Sequence, residues 1–323
     1  MLRWLMIACT CSAVALANEL AAAADVYPAK LVKIVVPFAA GGSTDLLTRS
    51  VAQQLNEAWK RPVVVENRAG GGGIVGSEYV VKSPPDGYVL LLGTNTTHAA
   101  AATLYAKLPY DLRRDFAPIT EIASIPLILS VHPSIPVKSV KELVALAKAQ
   151  PGQLNFGGGT GAAAHMAMAL FESMAKIDMV HVPYKGSGPA MIDLLGGHLS
   201  LGFDAVMTTL PYAQTGKLRM LAVSSLKRSA VAPQVPTMAE SGYPGYEAIL
   251  WFGLFAPAGT PADIVKKINE ETGRSVATPR MRELLASQGL EIVASSPAEF
   301  TARVDREIVK WRKVILDAGI KLE

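Results

Sequence analysis

Four stretches of this chain set glycines beside hydroxyl and titratable side chains where an apolar run gives way to a helical pattern. The first is Pro37-Phe38-Ala39-Ala40-Gly41-Gly42-Ser43-Thr44-Asp45. It follows the apolar run from Leu31 to Val36. It opens a pattern in which Leu47, Val51, Leu55, Ala58 and Trp59 recur at three- and four-residue steps. A strand, a glycine turn and a helix start together aim unpaired backbone N–H groups at one spot, where the helix dipole also favours negative charge. The chemistry to expect there is anion capture. Gly41 and Gly42 permit close backbone approach, and Ser43 or Thr44 can cap the helix or donate a hydroxyl. Asp45 suits the dipole by itself, so an ordinary capped turn is the competing reading.

The second stretch, Arg68 to Gly76, places Gly71, Gly73 and Gly76 in the G-x-G-x-x-G pattern of dinucleotide sites. Its context argues against that function. It is not the first strand-to-helix turn, and the next strand ends in Gly93-Thr94 with no acid to hold a ribose. The third stretch, Asn155 to Gly161, carries Gly157-Gly158-Gly159-Thr160 into a helix bearing His165. The fourth, His181 to Pro189, includes Tyr184 and Lys185, and a further strand ends at Phe203-Asp204. His165 can donate to a ligand or cap its own turn. Tyr184 can present its hydroxyl to a cleft or pack between lobes. Lys185 can neutralise a carboxylate or stay in solvent. Asp204 can accept from an ammonium or hydroxyl group, or cap the segment after it.

Catalytic patterns are missing. There is no G-x-S-x-G elbow, no H-E-x-x-H pair and no P-loop, and the histidines at 98, 132, 165, 181 and 198 lack ligand spacing. No enzyme activity, metal or cofactor is expected. The 323 residues carry a formal charge of +4, with 31 basic against 27 acidic side chains spread without a basic stripe, which excludes a nucleic-acid reading. Arg3, the apolar run Trp4 to Leu16 and Ala21-Ala22-Ala23-Ala24 read as an export signal cleaved near Ala24, with Cys9 a weaker case for a lipid anchor. Cys9 and Cys11 are the only cysteines, so the mature protein would contain no disulfide and no thiolate site.

The elements that must position these turns alternate. Strands are expected at Val32–Val36, Val63–Glu66, Tyr88–Leu92, Pro126–Val131, Met179–Val182, Leu199–Phe203 and Leu218–Val223. Helices are expected over 44–59, 76–83, 140–149, 161–175, 189–195, 262–277 and 297–316. Such alternation predicts an α/β fold of parallel sheets flanked by helices. Ile119–Pro126 and the Pro/Gly-rich 233–245 read as crossings between two lobes. Lobe 1 would then comprise 25–122 and 245–323, with lobe 2 inserted as 123–244. In open α/β sheets, ligands sit beyond the carboxyl ends of the strands, which places the glycine turns across a shared cleft.

Together with Val64-Val65-Glu66-Asn67-Arg68, Pro84-Pro85-Asp86-Gly87-Tyr88, His181-Val182-Pro183-Tyr184-Lys185-Gly186 and Phe255-Ala256-Pro257-Ala258-Gly259-Thr260-Pro261, the opening turn resembles the Bug receptors of tripartite tricarboxylate transporters, the TctC family. The resemblance covers essentially all of the mature chain. It implies a two-lobed, type II periplasmic-binding-protein-like fold that closes on a small carboxylate. Candidate ligands are di- and tricarboxylates, acidic amino acids and aromatic acids. It assigns the carboxylate to Phe38, Ala39, Gly42, Ser43, Thr44 and Asp45, and the opposing wall to Thr160, Gly161, His165, Tyr184 and Asp204. Thr94 and Asn95 would lie near the hinge. Gly157-Gly158-Gly159 stands where many relatives have a serine-containing turn, which removes a hydroxyl. The implied partner is a transporter in the membrane, with a sensor-kinase ectodomain as the alternative and a secreted hydrolase as a third reading. The receptor is expected to be periplasmic and monomeric.

Overall fold

Strand β1 (Val32–Val36) is almost wholly buried, as its unbroken run of apolar residues requires of a strand covered on both faces. The computed structural model describes residues 27–184 and 187–320. The expected export signal, both cysteines and Lys185 therefore lie outside the described residues. After β1 the chain forms α1 (Ser43–Trp59), β2 (Val63–Asn67), α2 (Ile74–Val81) and β3 (Val89–Thr94). Helix α1 buries Leu47, Val51 and Leu55 and ends at Lys60, whose left-handed backbone (φ 51°) stops the helix. β1 pairs in parallel with β2 and β3, as expected of strand–helix–strand units.

β4 (Phe116–Val131) is a single 16-residue strand shared by two sheets. The second sheet is built from α3 (Val140–Ala149), β5 (Asn155–Gly158), α4 (Ala163–Ala175), β6 (Val180–Pro183), α5 (Ser187–Leu195), β7 (Leu201–Ala205), α6 (Val206–Gln214) and β8 (Arg219–Val223). The chain returns through β9 (Ile249–Pro257) to α7 (Ala262–Val276), α8 (Pro279–Ser287), β10 (Glu291–Ile292) and α9 (Pro297–Asp317). The strand order is β2-β1-β3-β9-β4-β7-β5-β6, with β8 and β10 also paired to β4. β4 pairs with β9 from Phe116 to Pro126 and with β7 from Leu127 to Val131, so the two sheets meet at Pro126–Leu127.

Antiparallel pairs join the parallel ones where the chain crosses between lobes. β4 runs antiparallel to β7, β8, β9 and β10, and β3 runs antiparallel to β9. The cause is topological: one strand carries the chain out of the first lobe and another carries it back, so the two crossing strands oppose each other. β5, read from its glycines as a turn, is a strand, and α6 forms despite Pro211 within it. One core gathers Ile34, Leu47, Leu90, Phe252 and Leu254. A larger one gathers Phe156, Phe171, Phe203, Trp251 and Trp311, each side chain of this size contributing about 1.5–3 kcal/mol on burial.

Candidate functional site

Helix α1 starts without a side-chain cap, because its cap residue is Gly42 (φ −79°, ψ 170°). The third helical residue supplies the closure. Asp45 Oδ2 accepts from the Gly41 N–H at 2.9 Å, and Gly41 holds φ +90°, where a side chain would be strained. Arg49 Nε donates to the same oxygen at 3.0 Å, and Asn67 Nδ2 donates to Asp45 Oδ1 at 2.9 Å and to the Phe38 carbonyl at 3.2 Å. Burial opposes ionisation of Asp45, but the hydrogen bonds from Arg49, Gly41 and Asn67 outweigh it and hold the carboxyl below its ordinary range. Asp45 is therefore spent on shaping the turn. As first-turn residues, Ser43 and Thr44 keep N–H groups without intrahelical partners. A Cβ on Gly42 would meet no protein atom within 4 Å.

The second lobe repeats this construction with different chemistry. Helix α4 also lacks a side-chain cap, its cap residue being Ala162. Again the third helical residue reaches back: His165 Nδ1 accepts from the Gly161 N–H at 3.1 Å, and Gly161 holds φ +72°. The His165 ring stacks on His181 at 3.8 Å and 11°, while His181 Nε2 lies 3.0 Å from the Gly158 carbonyl. Burial, followed by the neighbouring His181, pushes the His165 pKa down to about 4. A neutral His165 with its proton on Nε2 is the form that can accept from Gly161.

A cleft of about 720 Å³ opens between these two turns. On one wall stand Phe38, Ala39, Ala40, Gly42, Ser43 and Thr44 with Thr94 beside them, and opposite stand Gly157, Gly158 and Gly159 with Ala162, Ala163 and Ala164. Asp204 also lines the cleft. Its Oδ1 accepts from the Ala205 N–H at 2.7 Å and from Thr208 Oγ1 at 3.0 Å, so it steadies the segment leading into α6 while facing the cleft. Burial raises its pKa against those hydrogen bonds. The starts of α1, α4, α5 and α6 thus converge on one space, which suits an anion.

Six of the residues expected at the site do not line this cleft. Asp45, Gly161 and His165 sit behind the turns as described. Thr160 is exposed at the tip of its turn. The Tyr184 hydroxyl donates to Asp193 of α5 and its ring packs in the cluster that holds Leu199, the packing alternative of the two roles open to it. Asn95 is 3% exposed behind Thr94, its Oδ1 without a protein partner. The glycine run at 70–73 serves packing: a Cβ on Gly72 would lie 1.8 Å from the Tyr105 hydroxyl. Sequence reading missed Thr96, Ser187, Thr208 and Gln288 on the cleft wall. The i, i+4 spacing of Asp204 and Thr208 was the available signal for one of them. At one edge the lobes touch, since a Cβ on Gly289 would fall 2.2 Å from Met207 Cγ. A second cavity of about 730 Å³, beside Arg113, Asp305 and Lys310, lies open on the outer face of α9. Among the described residues, no group of three or more His, Cys, Asp or Glu side chains could hold a metal, and no helix is long and apolar enough to cross a membrane.

Two α/β lobes joined by crossing strands, with uncapped helix starts facing each other over a cleft, define a solute-binding protein. The chain belongs to the tripartite tricarboxylate transporter family receptors, whose family model matches residues 47–320. Protein BugT of Bordetella pertussis is 37% identical to it over 302 residues, 93% of each chain. Among solved structures, R. palustris Rpa4515 with adipate has a TM-score of 0.79 and 38% identity, covering 92% of this chain and 100% of that one. MatC from Rhodopseudomonas palustris with bound malate has a TM-score of 0.76 and 31% identity, covering 90% of this chain and 100% of that one.

Proposed function

We propose that this protein is a periplasmic receptor that captures a small carboxylate between its lobes and delivers it to a tripartite tricarboxylate-type membrane transporter. The observation that carries this reading is the start of α1, where N–H groups face a cleft beside Gly42 with no side-chain oxygen capping them. Fixed backbone dipoles hold a carboxylate without a buried cation, which avoids the desolvation cost of an ion pair. Phe38, Ala39, Gly42, Ser43, Thr44 and Thr94 form the anchoring wall, and Asp204 stands on the selective wall. Asp45 and His165 act through the turns they shape. Adipate and malate in the two solved relatives support a carboxylate as the ligand. The family match favours delivery to a transporter over sensing or hydrolysis, and it supports binding rather than turnover.

Lobe 1 (25–122 and 245–323) and lobe 2 (123–244) close by rotation about β4 and β9 near Pro126–Leu127. Closure removes water and strengthens the hydrogen bonds made inside. The signal at residues 1–24 directs export, and the receptor works as a monomer. A thermal-shift screen of small carboxylates on ligand-free protein tests this. At least one acid raises Tm in a concentration-dependent way, and a flat response to every carboxylate contradicts the reading.

A further inference from the structure

Where the two lobes touch, polar side chains from both meet at one corner of the cleft. Helix α8 ends at Gln288, and Gly289 follows with a left-handed backbone (φ +72°). The Gly289 N–H donates to the Ala286 carbonyl and the Leu290 N–H to the Leu285 carbonyl, each at 2.9 Å, a closing pattern that fixes the helix end. Gly289 lies against Met207 in the first turn of α6, and a Cβ there would fall 2.2 Å from Met207 Cγ and 3.3 Å from its Cβ. Any side chain at 289 would have to displace Met207. Gln288, Met207, Thr208 and Asp204 all line the cleft, so this contact brings the half-buried Gln288 of the first lobe to the corner that Asp204 and Thr208 form in the second. The charge of this corner is opposite to that of the first turn. Among the described residues, Asp204 is the one ionisable side chain on the cleft wall, and it is an acid. Helix α8 arrives by its carbonyl end, the negative pole of its dipole.

We propose that Gln288 is a specificity-determining residue that forms, with Asp204, a second subsite for a hydrogen-bond donor at the far end of the ligand. The receptor then prefers an acid with a carboxamide at that end to the dicarboxylate of the same length. The inference rests on the receptor reading above, because it takes the ligand's own carboxylate as held at the start of α1. A carboxamide matches the corner in both senses. Its N–H donates to Asp204, and its oxygen accepts from the Gln288 amide, which carries donors as well as an acceptor. The Thr208 hydroxyl, 3.0 Å from Asp204 Oδ1, steadies the acid in place. A second carboxylate brings no donor, gives up its hydration and meets charge of its own sign.

The test is calorimetric titration of the ligand-free full chain at neutral pH with succinamate against succinate and glutaramate against glutarate. Butanoate and pentanoate serve as acids of the same lengths without a far polar group. At least one carboxamide is expected to bind about tenfold or more tighter than its dicarboxylate. Gln288→Ala is expected to weaken that carboxamide about three- to tenfold while leaving butanoate and pentanoate within about twofold. Asp204→Asn, which keeps an acceptor for the Ala205 N–H and Thr208, is expected to narrow the gap by improving the dicarboxylate. If Gln288→Ala fails to fold, the ligand pairs and Asp204→Asn decide alone. A dicarboxylate that binds as tightly as its carboxamide, or a folded Gln288→Ala protein whose affinities are unchanged or fall equally for every acid, overturns this inference and leaves the receptor reading standing. Binding of no carboxylate at all overturns both.

Discussion

The two turns that face each other across the cleft are built alike and held differently. Each has a left-handed glycine, a cap residue without a capping side chain, and a third helical residue that accepts from the glycine's N–H. In the first lobe that residue is the carboxylate of Asp45, fixed by Arg49 and Asn67. In the second it is the imidazole of His165, stacked on His181. Both devices leave the helix's own first N–H groups free for a ligand. A carboxylate beside an anion site would repel the ligand, and Arg49, half exposed, offsets that charge. The imidazole adds no charge as long as it stays neutral. Under the proposed binding mode the first turn would therefore be a fixed anchor, and the second one that acid can undo.

The largest effect is expected from Asp45→Ala. It leaves the Gly41 N–H without its acceptor and removes one of the two acceptors of the Asn67 amide, at a cost of about 2–3 kcal/mol in unfolding free energy, measured by denaturant titration. Asp45→Asn, which keeps one acceptor, should lose less and leave ligand selectivity unchanged. A wild-type stability for Asp45→Ala would mean the turn is shaped by something else. His165→Ala follows, at about 1–2 kcal/mol, because one neutral hydrogen bond and the stack on His181 are lost. Comparable losses from the two alanines would erase the distinction between a charged and a neutral clasp.

A smaller difference is expected in the pH dependence. The folded His165 pKa of about 4 lies below its ordinary 6.5, so the unfolded chain takes up the proton first as pH falls. Stability from this residue is complete above pH 6.5 and declines between about 6.5 and 4. Glu121 works the other way. Burial raises its pKa to about 7, so the folded chain holds that proton and stability falls as pH rises from 4.5 to 7. The His165 contribution is thus read as wild type minus His165→Asn, and the account expects that difference to shrink toward pH 4. The smallest effect belongs to Arg49→Ala, within about 1 kcal/mol, since its ion pair with Asp45 is half in solvent.

Much of this architecture is legible in the chain because short-range rules govern it. β1, α1, α3 and α9 follow from apolar periodicity and end signals, such as the Ser296–Glu299 capping box. The first glycine turn was found for the same reason. What remained hidden depends on partners far away in sequence. The antiparallel β4–β9 pair joins residues more than a hundred positions apart. β5 looked like a loop because its Gly157 and Gly158 are set by packing against Leu199, Tyr184 and α4, which no local pattern reveals. For Asp45, His165 and Asp204, capping and binding compete for the same residue types, and only the geometry separates them.

In the proposed binding mode the first turn anchors a ligand carboxylate through its backbone. Gly42 offers the most direct test, because its φ is ordinary and a side chain there would meet open space rather than protein. Titration of wild type and Gly42→Val with the tightest carboxylate from the screen, with Tm recorded for both ligand-free proteins, measures this. The account expects Tm to stay near wild type and affinity to fall about 100-fold, the loss of roughly 3 kcal/mol of carboxylate contacts. Unchanged affinity in a folded Gly42→Val protein would contradict it.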